Sequence, residues 1–358
     1  MAAISWYDFC QFSKPSMGIY ILLVLFATGI PAETLSQTIS GYVLDKETRE
    51  PLIGASVYFD NTTIGTSTDL DGYFEITPTE GIRSSMIISF VGYAPEVRAQ
   101  SSSSGNLRIY LEPEENVLEE VILSPDDDWP RELKLSEFKK NYLGTSARGR
   151  TCVILNEDDL DLVYSKKRKR LYARAKAPLL IENEKLRYRI TADLRAFGLG
   201  YSSVSRNKKK LVSTGVIYKG LNRYEDLDGS GSPEVRRARM EAYYGSVLHF
   251  MRALSDGRLF EEGYKIRYQG KFVEPNQMFT VTEQAGGAGT VVRLKDKVEI
   301  LYRATELSAM ELTVKEFYID RQGNHSPVDK VRFGGVMGDQ RMGDALPMDF
   351  LIRGEAGQ

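Results

Sequence analysis

From residue 39 the chain alternates. Ile39, Gly41 and Val43 are spaced by Ser40 and Tyr42, a turn follows at Glu50-Pro51-Leu52-Ile53-Gly54, and Ala55, Val57 and Phe59 resume the same period. Successive side chains of a strand point to opposite faces, so this is the pattern of strands with one face buried. The pair Asp71-Gly72 suits a type I′ hairpin, in which both central residues take positive φ, and Tyr73-Phe74-Glu75-Ile76-Thr77 leads out of it. Residues 85–90 read as another strand, 100–106 as a Ser-rich loop, and Leu107, Ile109 and Leu111 alternate with Arg108 and Tyr110. The spacing predicts a β-sandwich over 38–123 with Val43, Val57, Phe74, Ile88 or its neighbour Ile87, and Ile109 inside.

The pattern changes after residue 123. Ser124-Pro125-Asp126-Asp127-Asp128 reads as the solvated start of a linker over 124–130. Leu135, Phe138 and Tyr142 then fall on one helical face, which predicts a short helix over 131–142. Strands are predicted at 151–155, 160–164, 170–175, 179–182, 186–193, 211–218, 264–268, 289–294, 298–302, 312–319 and 328–333. One long helix interrupts them. Ser232-Pro233-Glu234 supplies an N-cap, a proline at the first helical position and an early acid, and Tyr243, Tyr244, Val247, Phe250, Met251 and Leu254 form a stripe that stops at Gly257. The predicted fold class is mainly β: a sandwich followed by a β-rich α+β region, 131–358, with one long helix.

Ahead of the sandwich, Gly18 to Ile30 is apolar, preceded by Lys14 and followed by Pro31-Ala32-Glu33. A membrane span needs about 20 residues, so the block reads as the core of a secretory signal peptide over 1–37, with a mature start between Glu33 and Thr38. A start at Met17, or an uncleaved anchor, is the competing reading. Cys10 lies in the presequence and Cys152 stands alone beyond it, which leaves no intramolecular disulfide framework in the mature chain. Cys152 reads as a buried, inert thiol.

Gly41-Tyr42-Val43-Leu44-Asp45, Glu50-Pro51-Leu52-Ile53-Gly54-Ala55-Ser56-Val57, Gly65-Thr66 with Thr68-Asp69-Leu70-Asp71-Gly72-Tyr73-Phe74, and Ser89-Phe90-Val91-Gly92-Tyr93 together resemble the carboxypeptidase regulatory-like domain. The resemblance implies a seven-stranded transthyretin-like sandwich of the kind found in envelope proteins of Bacteroidetes, a structural or adaptor module with no catalytic residue. Leu118-Glu119-Glu120-Val121-Ile122-Leu123 resembles the short strand that follows it in relatives. The runs 138–146, 178–183 and 242–252 are similar to those of Bacteroidetes proteins that place this module ahead of a further C-terminal region, and that similarity implies no activity.

Composition adds little electrostatic direction. The 358 residues are 42% hydrophobic and 27% charged, and Lys+Arg 47 against Asp+Glu 49 gives a net charge of -2. A global attraction to nucleic acid is therefore absent. Locally, Lys166-Lys167-Arg168-Lys169-Arg170 is the largest basic run; outside the cytoplasm its candidate partners are lipopolysaccharide phosphates or an acidic glycan, and the competing reading is a solvated hairpin. Arg236, Arg237 and Arg239 occupy the first turns of the predicted helix, where the positive end of the dipole disfavours cations, so they are expected to meet an anion, with the Glu225-Asp226-Leu227-Asp228 loop the nearest.

The titratable residues complete no recognised catalytic pattern. A zinc peptidase needs imidazoles and carboxylates converging on the metal, and neither His249 nor His325 sits in such a motif. No nucleophile elbow, Walker A sequence or dinucleotide fingerprint occurs. His249 reads as a half-buried structural histidine beside Phe250, with a motif-free triad as the alternative. Asp226 to Gly231 imitates the first half of an EF-hand loop, but position 12 is Arg237, so a polar loop capping the helix is preferred. Asp126 to Asp128 are read as solvated, with cation ligation as the alternative. No cofactor or metal is implied. The expected function is a non-catalytic, exported binding or adaptor protein of the periplasm or outer membrane, with an envelope protein or glycan, or an anionic surface, as partner and no nucleic acid. An envelope hydrolase with its active site in the second region is the alternative.

Overall fold

The N-terminal strands are short and stack as two sheets. β1 (Ile39–Asp45), β4 (Tyr73–Ile76) and β7 (Asn106–Leu111) form one, in the order β4-β1-β7, and β2 (Ser56–Phe59), β3 (Gly65–Ser67), β5 (Met86–Ser89) and β6 (Glu96–Arg98) the other, in the order β3-β2-β5-β6. Val43, Val57, Phe74, Ile88 and Ile109 all lie in the core between them. Burial along β1 alternates at every residue, as a strand with one face on a core requires. β1 and β7 run parallel, and a Cβ on Gly41 would stand 2.5 Å from the Leu107 carbonyl oxygen, so the close approach of these strands needs glycine there. The Asp71-Gly72 turn differs from a type I′ hairpin. Only Gly72 has positive φ, at 74°, because Asp69 instead organises the turn by accepting the N–H groups of Asp71 and Tyr73.

This computed structural model describes residues 38–79, 81, 83–99, 106–114, 126–205, 210–229, 231–284 and 289–352, all within one compact unit. The signal-peptide reading of 1–37, the Ser-rich loop except Asn106, and the strand expected at 118–123 lie outside them. The described residues are mainly β, 45% strand and 18% helix.

The second region opens with α1 (Arg131–Tyr142). β8 (Cys152–Ile154), β9 (Leu160–Ser165), β10 (Arg170–Ala175), β11 (Leu179–Asn183), β12 (Tyr188–Val204) and β13 (Leu211–Asp226) follow. β12 and β13 are far longer than the alternation suggested. β13 pairs along the whole of β12, so β11 at 188–192 and β10 at 197–200 share the opposite edge. Phe138, Tyr142, Leu171, Phe197 and Leu199 fill the core under this sheet. Trp129 also belongs to it, stacked on Tyr164 with ring centroids 4.0 Å apart, so the expected linker is not solvated throughout. Asp127 pins it there by accepting the Lys134 ammonium at 2.7 Å and the Tyr164 amide.

The expected long helix is two. α2 (Pro233–Tyr243) and α3 (Val247–Ser255) are separated at Gly245, whose φ of 79° no helix accommodates, and Ser246 caps α3 by accepting the His249 amide. Ser232 stands at the start of α2 but makes no side-chain cap; Asp228 instead accepts the Ser232 N–H at 2.6 Å. Beyond α3, β14 (Tyr264–Tyr268), β15 (Lys271–Val273), β18 (Val298–Tyr302), β19 (Glu306–Leu312) and β22 (Val331–Gly334) make a sheet in the order β15-β14-β18-β19-β22. β16 (Phe279–Glu283), β17 (Gly289–Leu294), β20 (Phe317–Asp320) and β21 (His325–Ser326) make another. The strand expected over 312–319 is divided between β19 and β20 by a turn. Phe250, Met251, Tyr264, Ile300, Met310 and Phe317 belong to the core of these sheets.

Candidate functional site

The basic run forms the tip of the β9–β10 hairpin. Lys166 to Lys169 turn the chain fully exposed, with Lys169 at φ 46°, and Arg170 begins β10 half-buried. Neighbouring acids are drawn toward it: Asp126 accepts the Lys167 amide at 3.0 Å. Asp126 to Asp128 thus engage the second region rather than stand apart in solvent.

At the other candidate cluster the three arginines separate. Arg239 is buried and forks onto Asp226 at 2.9 and 2.8 Å, donates to the Leu186 carbonyl at 2.9 Å, and lies 3.9 Å over the Tyr188 ring. That pairing holds the Asp226 carboxyl below the usual carboxylate range, against the burial that opposes it. Arg236 is exposed and reaches only the Gly231 carbonyl, at 3.2 Å, and Arg237 is exposed. The anion expected at the helix start is therefore met by Arg239 from inside, and the EF-hand-like loop serves to cap and clamp the helix.

His249 is buried, not half-buried. Its Nδ1 accepts from the Gly245 amide at 3.1 Å and lies 2.8 Å from the Tyr264 hydroxyl, which fixes the other nitrogen, Nε2, as the donor to Glu262 at 3.1 Å. Tyr243, Tyr244, Tyr264 and Tyr302 surround the ring. Burial lowers its pKa more than Glu262 restores it. The Ser246 oxygen faces the His249 backbone as a helix cap, so this serine and histidine are not arranged as nucleophile and base. Cys152 is half-buried with its thiol pushed up to about 12 by burial, which leaves it unreactive.

What the sequence did not announce is the junction between the sandwich and the second region. Asn61 donates its amide to the Asn222 carbonyl at 2.7 Å, Tyr224 donates to the Thr62 carbonyl at 2.9 Å, and Asp60 accepts the Asn222 amide at 2.8 Å. The C-terminal segment adds a strap: Met348 donates to the Asn61 carbonyl, Asp349 accepts the amide and hydroxyl of Thr63, and Arg252 holds the Phe350 carbonyl. On a second contact Asp320 accepts the Arg83 amide at 3.1 Å. Tyr58 and its cross-strand partner Ile87 are buried on the sandwich face away from its core, and Arg223 lies against Gly65 beside them. Burial pushes the Asp60 carboxyl up to about 6. Asp60-Asn61 in a strand connection, with Asn61 at φ 58°, was the available signal, and it reads as an ordinary turn.

The comparisons agree with this geometry in its first half. The model of the CarboxypepD_reg-like domain matches residues 39–123. The TonB-dependent receptor SusC of Bacteroides thetaiotaomicron is 33% identical over 106 residues, which are 30% of this chain and 9% of the receptor. The chain thus spans a small fraction of that relative's length. A chain of a type II cohesin–X-dockerin complex from Acetivibrio cellulolyticus is similar over 22% of this chain and 58% of that one, at 24% identity and a TM-score of 0.18, too low to carry a conclusion. Residues 39–123 are a CarboxypepD_reg-like domain, and its two stacked sheets are the sandwich to which the described residues of the second region are hydrogen-bonded.

Proposed function

We propose that this chain is an exported, non-catalytic protein of the cell envelope, acting in the periplasm or at the outer membrane, that binds an envelope protein or glycan through its β-rich surfaces. The observation that carries the reading is the junction: a CarboxypepD_reg-like sandwich is fixed to the second region by backbone hydrogen bonds from Asn61, Thr62 and Met348, so both halves offer their surfaces to a partner as one body. Similarity to part of a TonB-dependent receptor and the apolar block over 18–30 support the envelope. The neighbouring Ser246 hydroxyl caps the His249 backbone instead of facing its ring, which supports binding over hydrolysis. Lys166, Lys167, Arg168, Lys169 and Arg170, with Arg236 and Arg237, are the cations offered to an anionic partner.

Fractionation of cells expressing the full chain, with a photo-crosslinker placed at Lys167, tests this. The expected result is envelope recovery, a start between Glu33 and Thr38, and a crosslinked envelope component. Cytosolic recovery with 1–37 intact overturns it, as does hydrolysis of an envelope polymer that is lost in His249→Gln.

A further inference from the structure

We propose that the outer face of β10, β12 and β13 is a binding site for an acidic saccharide, held through the carboxylate of a uronic-acid unit; this rests on the envelope-binding reading above and names its ligand class. Two cross-strand rows define the place. Tyr172, Gly198 and Ile217 lie side by side in one, and Arg170, Gly200 and Gly215 in the next. The neighbouring residues Leu171, Phe197 and Leu199 point into the core, so these rows face away from it. Three of the six positions carry no side chain, so the half-buried Gly198 and the buried Gly200 form a floor beneath the Arg170 side chain, between Tyr172 on one side and Ile217, 64% exposed, on the other.

Arg170 lies along that floor. A Cβ on Gly198 would meet its Cδ and Nη1 at 3.5 Å, and one on Gly200 would meet the Thr214 hydroxyl at 2.6 Å and the Arg170 Nη2 at 3.8 Å, so a hydroxyl also stands on this face. Among the described residues its guanidinium has no ion pair or hydrogen bond, whereas acids nearby are engaged: Asp161 with Lys176 at 3.2 Å and Asp193 with Arg195 at 2.6 Å. The exposed Lys166, Lys167 and Lys169 adjoin it at the hairpin tip and add to the positive field. Among the described residues the sandwich meets this sheet farther along, where Gly65 lies against Arg223 and Arg195 reaches Glu114 at 4.0 Å.

A flat guanidinium without an acid partner offers two parallel N–H donors, the geometry that a carboxylate accepts in a fork. A tyrosine beside a glycine floor offers room and an apolar wall for the C–H face of a sugar ring. A uronate supplies both groups on one unit. Attraction by charge alone would need the lysine tip but neither the floor nor the ring.

The test is calorimetric titration of the full-length protein with an oligogalacturonate and with a neutral maltooligosaccharide of equal length. The expected result is binding of the acidic oligomer only, weakened about tenfold or more in Arg170→Gln, as loss of a charge-assisted fork implies. Gly198→Val should weaken it comparably with the melting temperature unchanged, since a Cβ there meets only the Arg170 side chain. Replacing Lys166, Lys167 and Lys169 by Ala together should lower affinity only at low salt. Wild-type affinity in both Arg170→Gln and Gly198→Val, equal binding of the neutral oligomer, or no binding of the acidic one overturns the proposal. If that happens while envelope crosslinking persists, the ligand assignment fails and the envelope reading stands; cytosolic recovery removes both.

Discussion

The sandwich and the region behind it are built from the same element, the β-strand, and are held in different ways. Among the described residues of the sandwich no strand exceeds the 7 residues of β1, and the inward residues form an apolar core, Val43, Val57, Phe74, Ile88 and Ile109 among them. The described part of the second region has two apolar cores, each bordered by paired buried polar groups: Glu137 accepts the Tyr201 hydroxyl at 2.9 Å and Asn183 donates to the Gly343 carbonyl at 2.9 Å beside one, where Arg239 also finds its partners, and His249 is engaged at both ring nitrogens beside the other. Period-two alternation suffices to specify the first kind of packing. The second depends on partners far apart in sequence, and buried polar groups left unpaired cost about 1–3 kcal/mol each, so these ties fix the arrangement as strongly as the apolar contacts.

The largest test of that contrast lies in the cores. Phe250→Ala, at a residue with no exposure, should cost about 3–5 kcal/mol, and Val57→Ala in the sandwich roughly 1.5–3. Because the junction joins the halves, calorimetry should show each variant lowering one shared transition. Two transitions, with only one displaced by each variant, would break the picture of a single cooperative body.

Next in size is Arg239. Arg239→Gln removes the fork to the exposed Asp226 and leaves the buried Leu186 carbonyl without its donor, so chemical denaturation should show a loss of roughly 1–3 kcal/mol. A loss below about 0.5 kcal/mol would mean that the clamp adds nothing to the packing of α2.

How much could be read beforehand follows the same division. The sandwich core, the 131–142 helix and the β9–β10 hairpin are local in sequence, and their alternation or helical spacing shows in the residues themselves. The break at Gly245 also had a local sign, a glycine followed by Ser246 in capping position, but the apolar stripe continues across it at helical spacing and hides it. β12 and β13 run beyond the predicted 186–193 and 211–218 because Gly198 and Gly200 in the one and Gly220 in the other weaken the strand pattern there. Of the candidate residues, Arg239 found its acid inside the loop that was expected to supply it. Nothing local pointed to the junction, because Asp60, Asn222 and Asp349 are brought together only by the fold.

A third effect, on the order of 1 kcal/mol for each group, separates the regions by pH. His325, set between Phe317 and Phe333, is pushed by burial from 6.5 down to about 4. The unfolded chain therefore takes up its proton first, and this contribution is lost as pH falls from about 6.5 to about 4. Asp60 at the junction has the opposite sign: raised from 3.8 to about 6, it binds its proton first in the folded state and adds stability as pH falls through that window. Denaturation at stepped pH should give a flatter acid loss in His325→Phe and a steeper one in Asp60→Asn. Parallel slopes for both variants and the wild type would show that neither group changes its protonation on folding.

The smallest expected effect belongs to Arg236 and Arg237. Both are exposed near the start of α2, one bonded only to the Gly231 carbonyl, and cations at a helix start are disfavoured by about 0.3–1 kcal/mol each at low salt. Replacing both by Ala should therefore cost no stability and raise it by up to about 1 kcal/mol at low salt, mostly through Arg236 since Arg237 lies beyond the first turn, with the gain lost at high salt. This is the reverse of Arg239, three positions beyond Arg236 on the same helix, and the contrast isolates burial and pairing from charge. A marked loss of stability in the double variant would mean that these arginines have an internal anion after all. Unchanged stability with weakened envelope crosslinking would make them part of the binding surface. If crosslinking is unchanged as well, the pair is a solvated face and drops out of the candidate site.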